Sequence, residues 1–139
     1  MKKKSDEKLK IIPLGGLEQI GMNITAFECQ DSIVLVDCGL AFPEDDMLGV
    51  DLVIPDVTYL LENADKVKGL CITHGHEDHI GAIPYILKQI NMPIYATKLT
   101  NGLIENKLKE HGMLRTVKRK VVKYGQSINL GCFRVEFIK

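Results

Sequence analysis

The apolar run Gly69-Leu70-Cys71-Ile72 leads directly into Thr73-His74-Gly75-His76-Glu77-Asp78-His79. Three imidazoles and the Asp78 carboxylate therefore fall within six positions at the end of a predicted strand. Imidazole and carboxylate are the ligand types that suit zinc and neighbouring first-row ions. If residues 72–76 stay extended, side chains two apart point the same way. His74 and His76 can then hold one ion from one side. Asp78 and His79 follow a turn and can reach a second ion close by. Two ions roughly 3.5–4 Å apart form a hydrolytic centre for in-line displacement at phosphorus or for acyl transfer. The bland alternative is a His-rich surface loop that binds nothing. Four ligand-type residues at this spacing, followed by Ile80-Gly81-Ala82, argue against it.

The other bulk properties bound the answer more loosely. A chain of 139 residues has the length of one domain. Hydrophobic residues make up 45% and charged residues 26%, which is a globular composition. Lys plus Arg and Asp plus Glu stand at 18 each, so no basic excess announces a nucleic-acid partner. A basic groove on a neutral protein remains compatible with that balance. No apolar run approaches the roughly 18 residues of a membrane span, so no membrane partner is expected. The basic start, Lys2 to Lys4, has no apolar stretch behind it and is not a secretory signal. Cys29, Cys38, Cys71 and Cys132 are far apart and form no C-x-x-C pair. They read as small buried hydrophobes of a reducing, cytoplasmic compartment.

Along the chain, residues 1–7 read as a disordered tail. Strands are expected over 9–14, 22–29 and 32–37, with a hairpin at Gln30-Asp31. The continuous apolar run Ile33-Val34-Leu35-Val36 predicts a strand buried on both faces. Residues 41–55 form a long irregular excursion. A short helix capped by Asp56 is expected over 56–63, a strand over 69–73 and a helix over 81–90 with Pro84 in its first turn. A short strand at 93–97 precedes a helix at 98–111. Leu99, Leu103, Ile104 and Leu108 form its apolar stripe, and Gly112 stops it. Three more strands cover 117–124, 127–130 and 133–138, with turns at Gly125 and Gly131. Interleaved strands and helices make an α/β layered fold. The glycines of 15–21 lack the G-x-G-x-x-G spacing of a dinucleotide site and read as a tight turn. Glu44-Asp45-Asp46 reads as a solvated loop. Lys118-Arg119-Lys120 with Lys123 is either a phosphate contact or a charged strand edge.

The segment from Thr73 to His79, with Ile80-Gly81-Ala82-Ile83-Pro84-Tyr85 behind it, resembles the signature of the metallo-β-lactamase superfamily. Further segments narrow the resemblance to the bacterial ribonuclease J family, of the β-CASP group. These are Leu14-Gly15-Gly16-Leu17-Glu18-Gln19-Ile20-Gly21, Val34-Leu35-Val36-Asp37-Cys38-Gly39 with Phe42-Pro43-Glu44-Asp45, Val53-Ile54-Pro55-Asp56, and Lys98-Leu99-Thr100 with Ile104-Glu105-Asn106-Lys107-Leu108. The similarity runs over nearly all of the chain after residue 8.

The resemblance implies a four-layer αββα sandwich, of which residues 8–139 would be the N-terminal half, a mixed sheet with flanking helices. It implies a metal-dependent ribonuclease that hydrolyses RNA phosphodiesters as a 5′-to-3′ exonuclease, and in some members as an endonuclease. The setting would be RNA decay and rRNA maturation, with RNA as the partner. Two Zn2+ per complete catalytic domain are implied, with Mn2+ or Mg2+ as alternatives. Carried onto this chain, His74 and His76 would ligate the first ion, and Asp78 and His79 the second. Asp37 would hold the His loop by hydrogen bonds, as metal ligands generally require, and Asp78 would also orient the nucleophile. The bland reading of Asp37 is a strand-end carboxylate that caps the next turn.

In the family, further ligands, the β-CASP insertion and a C-terminal domain follow the segment matched here. The expectation is therefore of a partial domain with two protein ligands per ion, where a catalytic zinc usually has three. Low metal occupancy, little activity of the isolated chain, and self-association through the uncovered apolar face follow. Two rival readings stay open: another superfamily hydrolase acting on a thioester, lactone or β-lactam, and a non-catalytic metal-binding module.

Overall fold

The computed structural model describes residues 8–15, 23–39 and 56–139. The expected tail at 1–7, most of the glycine-rich turn at 15–21, and the excursion at 41–55 with Glu44-Asp45-Asp46 lie outside the described residues.

Six strands build one mixed sheet: β1 (Leu9–Gly15), β2 (Ile24–Cys29), β3 (Ser32–Val36), β4 (Val67–Cys71), β5 (Ile94–Ala96) and β6 (Arg119–Val121), adjacent in that order. The first three run antiparallel and β3 to β6 run parallel. The β2–β3 connection is the tight turn expected at Gln30-Asp31, and Gln30 takes φ 55° there. Parallel strands need crossovers, and helices supply them. These are α1 (Thr58–Glu62), α2 (Glu77–Ile80), α3 (Ile83–Gln89) and α4 (Lys98–Glu110). Before α1, the Asp56 carboxylate accepts the Thr58 N–H at 3.0 Å, but the N-cap position falls to Val57 and the helix has no side-chain cap.

Alternation along the strands sorts two cores. Ile33, Leu35, Leu70, Ile72, Ile94 and Ala96 pack with the helices on one face. Val34, Cys71 and Tyr95 point to the other face and meet the hairpin β7 (Ser127–Leu130) and β8 (Phe133–Glu136). β3 is thus covered on both sides, which is why its sequence is apolar without alternation. The described layers are helices, a six-stranded sheet and a small second sheet, in keeping with the expected α/β class.

Four expectations need correction. The strand at β4 ends at Cys71 rather than Thr73, because Asp37 takes the Thr73 N–H. The helix expected over 81–90 begins only at Ile83, since the Ala82 N–H is committed to the Cys38 carbonyl at 3.0 Å. A separate short turn of helix, α2, precedes it. On α4 the buried residues are Thr100, Asn101, Ile104 and Leu108, while Leu99 is 79% exposed. Asn101 wins the inward position by donating from Nδ2 to the Ala96 and Lys120 carbonyls at the sheet end. Cys132, expected to be buried, is exposed in the β7–β8 turn. Among the described residues no helix is long and apolar enough to cross a membrane.

Candidate metal centre

β3 and β4 lie side by side and parallel, so their C-terminal ends deliver Asp37 and the His loop to one place. The Asp37 N–H donates to the Cys71 carbonyl at 2.8 Å, and the Cys38 N–H donates to the His79 carbonyl at 2.8 Å. The chain leaving β3 therefore pins both the start and the end of the His loop. Asp37 achieves this in the left-handed region, φ 64°, where Asp is among the better-tolerated non-glycine residues.

The Asp37 side chain is buried and accepts from three donors. Oδ1 accepts the Thr73 N–H at 2.8 Å, and the Thr73 hydroxyl lies 2.8 Å from Oδ2. His79 Nδ1 lies 2.7 Å from Oδ2. His79 Nδ1 is thereby engaged by a carboxylate, the arrangement that metal-ligating histidines usually show. The His74 ring sits 3.7 Å from the His79 ring and 4.8 Å from the His76 ring, centroid to centroid. His74 thus neighbours both His76, expected beside it at the first ion, and His79, expected at the second. Asp78 lies on α2 between His76 and His79 in the chain, and only its backbone is described.

The donor set fits a divalent ion of the borderline kind: imidazoles, one of them with a ring nitrogen held by a carboxylate. Among the described residues, no three His, Cys, Asp or Glu side chains are already arranged to hold an ion. The thiols beneath the site are unsuited to the role. Burial, reinforced by the Asp37 charge, pushes Cys71 up to about 12 and Cys38 further still, so neither supplies a thiolate.

A cleft of about 520 Å³ opens beside the loop, lined by His74, Gly75 and His76 on one side and by Leu99, Leu103 and Tyr124 on the other. A side chain at Gly75 would come within 2.5 Å of Leu103 Cδ1, so the lack of a side chain lets the loop lie against α4. The helical periodicity of the sequence places Leu99 and Leu103 in the core, and nothing in it marks Tyr124. The signal that separates them is polar: a helix whose inward stripe starts at Thr100 and Asn101 must turn Leu99 outward. Thr73 is the other unmarked contributor, and a hydroxyl at the mouth of a His cluster is the signal that points to it.

Residues 23–138 match the metallo-beta-lactamase superfamily model. The chain is 53% identical over 135 residues to a ribonuclease J from Synechocystis, covering 96% of this chain and 21% of that relative. It is 42% identical over 139 residues to ribonuclease J2 from Bacillus subtilis, covering 100% of this chain and 25% of that relative. The chain therefore spans a quarter or less of the length of these curated relatives. The metallo-beta-lactamase fold protein YhfI from Bacillus subtilis shares the fold at a TM-score of 0.61 and 19% identity, over 92% of this chain and 51% of that one. A match across nearly all of the described sheet and the whole His loop places the chain in the metallo-beta-lactamase superfamily.

Proposed function

We propose that this chain is part of a metal-dependent ribonuclease of the ribonuclease J kind, acting on RNA phosphodiesters. The observation that carries the reading is the gathered set His74, His76 and His79 at the ends of β3 and β4, with Asp37 behind it. The names of the relatives, at 42–53% identity, favour RNA over the thioesters and lactones that the His loop alone would allow.

Superfamily membership implies divalent metal ions; two Zn2+ per complete domain, with Mn2+ or Mg2+ as alternatives, is our assignment. His74 and His76 would hold one ion, and Asp78 and His79 the other. When bound, such ions acidify water and offset negative charge developing on a phosphodiester. The residues of this chain do the positioning. Asp37 fixes the ring of His79 and the start of the loop. Asp78 orients the attacking water by accepting a hydrogen bond from it. The cleft between the loop and α4, with Leu99 and Tyr124 along its far side, would admit the substrate. The setting we assign is the cytoplasm, in RNA decay and rRNA maturation by 5′-to-3′ exonucleolytic or endonucleolytic cleavage.

Residues 8–139 are in this reading the N-terminal half of the αββα sandwich, with two protein ligands per ion and weak occupancy on their own. Leu9 and Ile11, 58% and 60% exposed on the edge strand β1, favour self-association of the chain. A clean monomer by light scattering contradicts that part.

The function is tested in a full-length version by comparing cleavage of 5′-monophosphorylated RNA with hydrolysis of a thioester. RNA cleavage that Asp78→Ala abolishes, with RNA binding kept, supports the reading. Thioester turnover without RNA cleavage, or full cleavage by Asp78→Ala, sinks it.

A further inference from the structure

Thr73 joins β4 to the His loop. Its backbone N–H and its hydroxyl both reach Asp37. A hydroxyl has one hydrogen, and a carboxylate only accepts, so that hydrogen points at Asp37. Thr73 Oγ1 then has only lone pairs for its other close neighbour, His74 Nδ1, at 3.0 Å. An oxygen that can only accept requires a hydrogen on Nδ1. A neutral His74 so held carries its lone pair on Nε2. The same constraint acts directly at His79, whose Nδ1 faces Asp37 Oδ2 at 2.7 Å. The longer contact of 3.4 Å between Thr73 Oγ1 and His79 Nδ1 is secondary to it.

We propose that Thr73 is a positioning residue whose hydroxyl passes the acceptor character of Asp37 on to His74, holding that ring as the Nδ1–H tautomer with Nε2 offered to a divalent ion. One carboxylate thereby sets two rings: His79 by direct contact and His74 through one hydroxyl. Neutral imidazole in water favours the Nε2–H form, so both rings are held against their preference. What Nε2 is offered to rests on the metal-centre reading. The tautomer itself is a property of the metal-free chain.

The test is a long-range 1H–15N correlation of the histidine rings in the 139-residue chain without metal, with the His74 signals identified by their loss in His74→Gln. The expected pattern has a protonated, pyrrole-type Nδ1 and a pyridine-type Nε2 on His74. Thr73→Val keeps the branched shape and the backbone N–H but loses the hydroxyl. It is expected to move His74 toward the Nε2–H form and to weaken Zn2+ binding, measured with zinc alone, by about 10-fold or more. Thr73→Ser is expected to restore both. A pyridine-type Nδ1 on His74 in the unaltered chain overturns the inference, as does an unchanged ring pattern in Thr73→Val. Should Thr73→Val fail to fold, the unaltered chain and Thr73→Ser still decide the tautomer. The stated tautomer pattern with no zinc binding in any variant leaves the role of Thr73 standing and removes the metal centre.

Discussion

Asp37 carries two roles that substitution can separate. Its carboxylate supports the fold by satisfying the Thr73 N–H, the Thr73 hydroxyl and His79 Nδ1. It also sets the His79 tautomer. Asp37→Ala removes all three acceptor contacts. An unpaired buried donor costs about 1–3 kcal/mol, but Thr73 is exposed and water can reach it, so the low end applies to each. The left-handed backbone at φ 64° adds about 1 kcal/mol for alanine. The expected loss is about 3–5 kcal/mol. Asp37→Asn keeps an acceptor oxygen for Thr73 and tolerates the backbone, so it should lose only about 1–2 kcal/mol. Its amide nitrogen then faces His79 Nδ1 as a donor and forces the ring hydrogen onto Nε2. The amide cannot escape by flipping, because its nitrogen would then confront the Thr73 N–H. Zinc affinity should therefore fall about 10-fold or more in both variants, although their stabilities differ. Urea unfolding followed by circular dichroism, beside a zinc titration, measures the two effects. Alanine within about 1 kcal/mol of the parent, or asparagine binding zinc as the parent does, would mean that Asp37 does not hold these groups.

Other expectations follow from particular contacts. Ile104→Ala should cost about 2–5 kcal/mol by opening a cavity under α4, whereas Leu99→Ala should stay within about 0.5 kcal/mol; equal losses in chemical denaturation would overturn the assigned helix face. Gly131→Ala, at φ 61° and with its new carbon driven against the Ser32 side chain, should cost about 2–4 kcal/mol, and a neutral result in the same assay would contradict the turn. Glu28 is held below the usual carboxylate range, chiefly by the Tyr59 hydroxyl, which donates to it, with Lys66 3.4 Å away adding to the effect. A depressed folded-state value stabilises the fold above the ordinary glutamate value of 4.5 and is lost as pH falls below it. Denaturation midpoints of Glu28→Gln and the parent should therefore converge as pH drops through that region, and a constant gap would rule this out. Cys132 should alkylate well before Cys71 and Cys38 in the folded chain, because it is exposed and they are buried; equal rates by mass spectrometry would argue against the two-core arrangement.

The sheet was largely legible because its signals are local. Ile33 to Val36 is apolar without alternation, and β3 is covered on both faces. Gly112, Gly125 and Gly131, read as a stop and two turns, all take positive φ. Misreadings cluster where a distant partner decides the outcome. β4 stops short because Asp37, 36 residues away, takes the next N–H. α3 starts late because Cys38 claims the Ala82 N–H. α4 has apolar residues on two sides, and periodicity alone cannot say which side meets the sheet; Asn101 decides it by bonding carbonyls of β5 and the neighbouring β6. The gathering of His74, His76 and His79 was readable from spacing. Their hydrogen-bonded support was not, because it comes from the end of another strand.

Calorimetric titration of the purified chain with Zn2+, beside His76→Ala, bears most directly on the claim that this loop is a metal centre. Saturable binding in the parent chain that the variant loses is the expected result. Superimposable titrations of the two proteins would contradict it.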